Sequence, residues 1–233
     1  MDKNAACELE SVKAQSCPLC GSEPIREFSV VDSKTYWRCD ICHMTFLSSK
    51  SYLSPEDELA RYLLHENSPD DCRYREFLGR LTAHLIPKLQ PGAKGLDFGS
   101  GPGPTLSVML EEMGFSVDLY DPYFAPNTAP LERTYDFVTC TETVEHFYKP
   151  AKEFNRFNQL LRRGGWLGIM TEMLTSDEDF ANWWYHQEPT HVCFYKQETM
   201  EWIATQYGWS VEYPRQNVTL FYKPKKNRLG NFP

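Results

Sequence analysis

The 233-residue chain has no apolar run approaching the ~20 residues needed to cross a bilayer as a helix. Its opening, "MDKNAACELESVKAQ", carries acids and no hydrophobic stretch, so no secretory signal is expected there. Excess positive charge is also missing. The net charge is −8, which argues against a broad surface for RNA or another polyanion. The local cluster Lys223, Lys225, Lys226 and Arg228 reads as a solvated tail. Cysteines are too sparse for a disulfide scaffold: of eight, four form two close pairs (Cys17, Cys20, Cys39, Cys42) and four are scattered (Cys7, Cys72, Cys140, Cys193). That usage fits a reducing compartment, and the expected location is cytoplasmic.

Hydrophobic residues make up 41% of the chain, enough for one good-sized core with a small appendage. The appendage is the first 50 residues. "CPLCGSEPIREFSVVDSKTYWRCDICHMTFL" is C-x2-C, eighteen residues, then C-x2-C. Each pair puts two thiolates on one tight turn, and the segment between, with Phe28, Val30, Val31, Tyr36 and Trp37, is expected to form a hairpin that joins the turns. Cys17, Cys20, Cys39 and Cys42 suit a closed, structural zinc site whose metal supplies much of the segment's folding energy. A rubredoxin-like iron site and four reduced cysteines are the alternatives, and His43 is a substitute ligand for Cys42.

Residues 51–90 read as a helical linker or cap region. Ser54-Pro55 followed by acids starts one helix, "NSPDD" interrupts, and Phe77, Leu78, Leu81, Leu85 and Ile86 stripe a second that ends at Pro87. His65 and His84 lie in this region as surface histidines. Residues 91–224 then alternate: "KGLDFG" strand, a helix from Pro104 to Met113, "FSVDLYD" and "YDFVTCT" strands, a helix over 151–163, "GGWLGIMTE" strand, a helix from Gln197 to Tyr207, and closing strands "WSVEYP" and "VTLFYK". The expected fold is α/β: a Rossmann-like, doubly wound, mostly parallel sheet with an antiparallel last strand behind a small zinc-ribbon module. Residues 225–233 are a tail.

"GLDFGSGPGPTL" follows the first of these strands. Gly99, Gly101 and Gly103 let the backbone turn sharply against a ligand at the carboxyl end of the sheet. The G-x-G-x-x-G of a dinucleotide site is broken by Pro104, and Asp97 sets a carboxylate where a pyrophosphate would sit. A ligand with a cationic end and no phosphate fits better, and S-adenosylmethionine is such a ligand. Asp121, about twenty residues after the glycines, ends the second strand where an acid accepts ribose hydroxyls.

These features resemble the class I S-adenosylmethionine-dependent methyltransferases: "LDFGSGPG" is similar to their first motif, "LYDP" to the ribose-binding strand end, "YDFVTCTETVEHF" to their fourth strand and "LLRRGGWLGIMT" to the turn into the fifth. The cysteine module in front resembles a bacterial zinc-ribbon methyltransferase group. The resemblance implies cofactor contacts at Asp97, Gly99, Ser100, Gly101, Asp121, Pro122, Thr141 and Glu142. Between Asp121 and Tyr135 the family's helix and third strand are replaced by "PYFAPNTAPLERT", so adenine contacts fall to other residues, with Tyr123 and Phe124 as stacking candidates.

In "TETVEHF", a helix starting at once would set Glu142, Glu145 and His146 on one face. That E-x-x-E-H pattern resembles the one in small-RNA 2′-O-methyltransferases and some ubiquinone-pathway O-methyltransferases, where a further histidine completes a divalent-metal site. His191 is the first candidate for that histidine and His186 the second. With Mg²⁺ or another divalent ion, Glu142, Glu145, His146 and His191 would orient an acceptor oxygen; without one, His146 or His191 is the expected base. The insert with Phe180, Trp183, Trp184 and Tyr185 either walls an acceptor pocket or packs onto the sheet.

The expectation is methyl transfer to a small-molecule acceptor, with O-methylation favoured. Rivals are an RNA methyltransferase and a non-catalytic binding module. A protein partner docking on the ribbon is a further expectation.

Overall fold

The computed structural model describes residues 16–64 and 67–225. Cys7, His65, Lys226 and Arg228 lie outside them. Two sheets organise the described residues. The larger runs β5(Ser116–Tyr120), β4(Lys94–Phe98), β6(Tyr135–Thr141), β7(Leu161–Met170), β10(Val218–Tyr222) and β9(Ser210–Arg215) in spatial order. The first four are parallel, and β10 runs antiparallel to both β7 and β9. The expected mostly parallel sheet with antiparallel closing strands is the observed one.

Helices cover both faces, placed by their apolar stripes. On one face α2(Cys72–Leu85) buries Leu78, Leu81 and Leu85, and α3(Thr105–Glu112) buries Leu106, Met109 and Leu110, against Phe137, Met170 and Leu220. On the other, α4(Pro150–Leu160) and α5(Gln197–Tyr207) bury Phe154, Phe157, Met200 and Ile203 in a larger core. Between Asp121 and Tyr135 there is one 3-10 turn, Ala129–Glu132, so β5 is an edge strand. The prolines at 122, 126 and 130 remove the donors a helix or strand would need.

The cysteine region is an antiparallel hairpin, β1(Ile25–Val31) with β2(Lys34–Cys39), turning at Asp32 and Ser33, both at positive φ. A third strand, β3(Thr45–Leu47), follows the second cysteine pair, and a fourth comes from far along the chain: β8(Cys193–Phe194) pairs with β3. The ribbon and the insert after β7 therefore share one sheet, and one apolar core runs from Cys17 to Phe221.

α1(Pro55–Tyr62) starts as the sequence signals: Ser54 Oγ accepts the Asp57 N–H at 3.1 Å. Asp71 caps α2 in the same way.

Candidate active site

A cavity of about 700 Å³ opens above the carboxyl ends of β4, β5 and β6. The glycine loop forms its floor. Gly99 has φ +79°, and a Cβ there would sit 2.3 Å from Thr143 Cγ2. A Cβ on Gly103 would stand 1.7 Å from the Asn67 carbonyl oxygen. The glycines thus let the loop pass between the end of β6 and the connection from α1 to α2.

Asp97 lines the cavity and is 2% exposed. Thr139 Oγ1 donates to its Oδ1 at 2.8 Å. Burial pushes its carboxyl up from 3.8 to about 6, Thr139 pulls it back, and Asp121 pushes it further up. Asp121, also buried, accepts three backbone N–H groups: Tyr123 and Phe124 on Oδ1 at 2.8 and 3.0 Å, and Gly101 on Oδ2 at 3.0 Å. Its carboxylate pins the glycine loop to the end of β5, and one lone pair on Oδ2 is left for a ribose hydroxyl.

Two buried polar atoms in this cavity have no partner: Ser100 Oγ and Glu142 Oε1. Burial first, then Glu145 and Glu172, push the Glu142 carboxyl well up. Orphaned polar atoms on a wall with Asp97, Pro122 and Thr141 fit a polar, cationic ligand such as S-adenosylmethionine.

The roof is α1, in the segment expected as a linker or cap, and its Tyr62 lines the cavity. Its Glu58 is buried and accepts the hydroxyls of Tyr62 and Tyr123, each at 2.8 Å. Arg61 forks onto Glu188 in the insert at 2.7–3.1 Å. Tyr62, Tyr123, Phe124 and Trp184 face the cavity, whereas Phe180 and Trp183 pack against Phe194. The insert's aromatics thus divide between wall and core.

The expected helix over 142–146 is not formed. Glu142 sits at φ +47°, Thr143 at φ −141°, and Val144–His146 is a single 3-10 turn. Pro150 at the first position of α4 fixes the later helix start. Glu142 therefore does not share a face with Glu145 and His146. Glu145, His146 and His191 do converge: one ligand atom from each lies within 4.8 Å of the others. His186 stays out, stacked on Phe180 with Nε2 on the Ala181 carbonyl. His84 does not line the cavity.

Each member of the trio is oriented. His146 Nδ1 is 3.1 Å from the Thr190 carbonyl oxygen and His191 Nδ1 is 2.7 Å from that of Tyr185. A carbonyl only accepts, so each Nδ1 carries hydrogen, which leaves Nε2 as the ring atom that can offer a lone pair. Burial first, and His146 after it, bring His191 down to about 4 against Glu145, which pulls up. Glu145 has no exposed surface and accepts Thr171 Oγ1 at 3.0 Å and the Tyr185 hydroxyl at 2.6 Å. Tyr185 thus holds Glu145 through its hydroxyl and His191 through its carbonyl. No sequence pattern marks it among four neighbouring aromatics.

Cys17, Cys20, Cys39 and Cys42 also converge within 4.8 Å. The Cys17–Cys42 and Cys20–Cys39 sulfurs are 3.5 and 3.4 Å apart, near the roughly 3.8 Å edge of a tetrahedron of Zn–S bonds. The residue after each C-x2-C, Gly21 and His43, is left-handed, and the Ile41 N–H reaches Cys39 Sγ at 3.4 Å. His43 is exposed and outside the cluster. Four free, convergent thiols fit a tetrahedral zinc.

Fold, glycine loop and cavity define the class of the S-adenosylmethionine-dependent methyltransferases. Residues 71–213 match the methyltransferase-domain family, and the chain belongs to it. Among solved structures it is similar to magnesium protoporphyrin IX methyltransferase of Synechocystis PCC 6803 with bound SAH (14% identity, 71% of this chain and 92% of that one, TM-score 0.47). It is also similar to an O-methyltransferase family protein of Burkholderia thailandensis (15%, 73% and 70%, TM-score 0.44) and to the YcgJ protein of Bacillus subtilis (13%, 58% and 70%, TM-score 0.43). None of them assigns an acceptor to this chain. No curated protein matches it. Among the described residues no helix is long and apolar enough to cross a membrane.

Proposed function

We propose that this methyltransferase acts on a hydroxyl of a small-molecule acceptor, with Glu145, His146 and His191 as the groups that receive that hydroxyl. The observation that carries the reading is the convergence of two histidines, each held at Nδ1 by a backbone carbonyl, with one fully buried carboxylate. Bound S-adenosylmethionine supplies the sulfonium methyl, and Asp97, Gly99, Ser100, Gly101, Asp121, Pro122, Thr141 and Glu142 are the proposed cofactor contacts. Asp97 offers negative charge to the cofactor's ammonium, and Glu142 offers its unpartnered oxygen as an acceptor. The glycine loop and Asp121 hold the ribose end.

The donor set fits a divalent cation such as Mg²⁺ or Mn²⁺. When bound, such an ion lowers the pKa of a coordinated hydroxyl. The chain's own part is orientation: Tyr185 and Thr171 fix the Glu145 oxygens, while carbonyls fix both imidazoles, the arrangement that tunes metal-binding histidines generally. Without an ion, the Nε2 of His146 or His191 would take the acceptor's proton as the oxygen attacks the methyl carbon; the methyl–sulfur bond breaks, its electron pair stays on sulfur and S-adenosylhomocysteine leaves. The aromatic wall of Tyr62, Phe124 and Trp184 suits a flat or apolar acceptor. We assign structural zinc to the four cysteines and a cytoplasmic location to the protein.

The test is methyl transfer from radiolabelled S-adenosylmethionine to a panel of hydroxylated small molecules and to total RNA, with and without Mg²⁺ or Mn²⁺. Label in an ether-linked small-molecule product supports the reading. Label confined to RNA overturns it. Failure of S-adenosylhomocysteine to bind in calorimetry removes the cofactor assignment as well.

A further inference from the structure

We propose that the cysteine ribbon holds the acceptor side of the active site in place, with Arg38 as the positioning residue. The inference rests on the reading of Glu145, His146 and His191 as site residues. The insert between β7 and α5 carries Tyr185, Glu188 and His191, yet its own regular structure is two 3-10 turns, at Phe180–Asn182 and Trp184–Gln187, and the two-residue strand β8. A segment with so little regular secondary structure takes much of its shape from what it packs on. Here it packs on the ribbon.

The connection is a backbone ladder. β3 begins three positions after Cys42 and pairs Thr45 with Phe194 and Phe46 with Cys193. The Leu47 N–H then donates to the Val192 carbonyl at 2.9 Å, and the Val192 N–H donates to the Glu145 carbonyl at 2.9 Å. Val192 is bonded to His191. One continuous set of hydrogen bonds therefore runs from the ribbon's third strand through the residue beside His191 to the backbone of Glu145. Cys193 Sγ adds a contact to the Phe147 carbonyl at 3.1 Å.

Arg38 closes the other end of the insert. Its side chain is 4% exposed, and its Nη1 and Nη2 fork onto Asp177 at 3.2 and 2.9 Å. Its Nε donates to Thr45 on β3, and its guanidinium lies 4.1 Å from the Phe28 ring centre. A buried guanidinium needs this partner, so Asp177 is drawn to the ribbon. Three residues on, Phe180 packs edge-on against Phe28 and Tyr36, and His186 packs against Tyr36. The insert is thus fixed to the ribbon at Asp177, Phe180, His186 and Val192–Phe194, which bracket Tyr185 and His191.

The experiment uses the zinc-loaded full chain and its Arg38→Met and Asp177→Asn variants. Mn²⁺ affinity is read by electron paramagnetic resonance of the free ion, S-adenosylhomocysteine affinity by calorimetry, and access to His191 by its rate of carbethoxylation, resolved by mass spectrometry. Arg38→Met is expected to weaken Mn²⁺ binding at least tenfold and to speed His191 modification at least tenfold. S-adenosylhomocysteine affinity, assigned to the glycine loop and Asp121, stays within twofold. Asp177→Asn, which keeps an acceptor for Arg38, shifts both in the same direction by less, and it carries the test if Arg38→Met does not fold. Wild-type modification rates at His191 in both folded variants overturn the proposal, as does an equal loss of S-adenosylhomocysteine affinity, which marks general loosening. If the wild type binds no Mn²⁺, the metal reading fails by itself and the His191 modification rate still decides the positioning role.

Discussion

Asp97→Asn separates what this carboxyl does for stability from what it does for binding. In the ligand-free protein the group is buried and titrates at about 6 in place of 3.8, with burial as the main cause. Its folded state binds the proton more tightly than the unfolded chain does. The stabilisation linked to that proton is complete below about pH 4 and is lost as the pH rises through 6. A difference of roughly 2.2 pKa units is worth about 3 kcal/mol at pH 7.5 and about 1.6 kcal/mol at pH 5. Asparagine cannot ionise, and its carbonyl still accepts the Thr139 hydroxyl. The variant should therefore be the more stable protein at pH 7.5, by up to about 3 kcal/mol, or roughly 6–12 °C in Tm for a chain of this size. Its advantage should shrink to about half at pH 5. Urea unfolding of both proteins at the two pH values, without ligand, measures this. Calorimetry with S-adenosylhomocysteine should show the opposite trend, an affinity reduced at least tenfold, because the ammonium loses its counter-charge. A variant as stable as the wild type at both pH values would refute the argument from burial.

Asp121→Asn puts an amide where a carboxylate now takes three N–H groups, so the glycine loop loses at least one anchor; S-adenosylhomocysteine affinity should fall tenfold or more, and calorimetry at unchanged affinity would remove Asp121 from the site. Tyr185→Phe deletes the hydroxyl on Glu145 and should lower Mn²⁺ affinity 10- to 100-fold with the fold intact by circular dichroism. Glu145→Ala should abolish any stimulation of methyl transfer by Mg²⁺ or Mn²⁺; stimulation that survives places the ion elsewhere. Metal analysis should find about one zinc per chain, and its removal by a chelator should lower the Tm, since a closed four-cysteine site contributes its metal-binding energy to folding.

The trio at the cavity is built from parts with different histories. Glu145 and His146 are neighbours in sequence, whereas His191 comes from the distant segment just before β8, which joins the ribbon's sheet. Glu142, which the spacing had grouped with them, is turned away by a left-handed backbone at the end of β6. Such a conformation costs an ordinary residue about 1 kcal/mol or more and has no signature in residue spacing.

The sequence by itself determined the local elements and the chemistry each can carry. Period-two and period-3.6 patterns set the strands and helices of the large sheet, because burial of one face is a local property of the chain. Two C-x2-C turns and a glycine loop after a strand also declare themselves, since each needs particular residues at fixed spacing. Only the tertiary structure decided which distant groups meet. That α1 becomes a roof through Glu58 and Arg61, that Tyr185 among four aromatics holds the buried carboxylate, and that the ribbon completes its sheet with Cys193 and Phe194 all depend on contacts across forty residues or more. Side-chain pairing over such separations follows from how the whole core packs, and no local pattern encodes it.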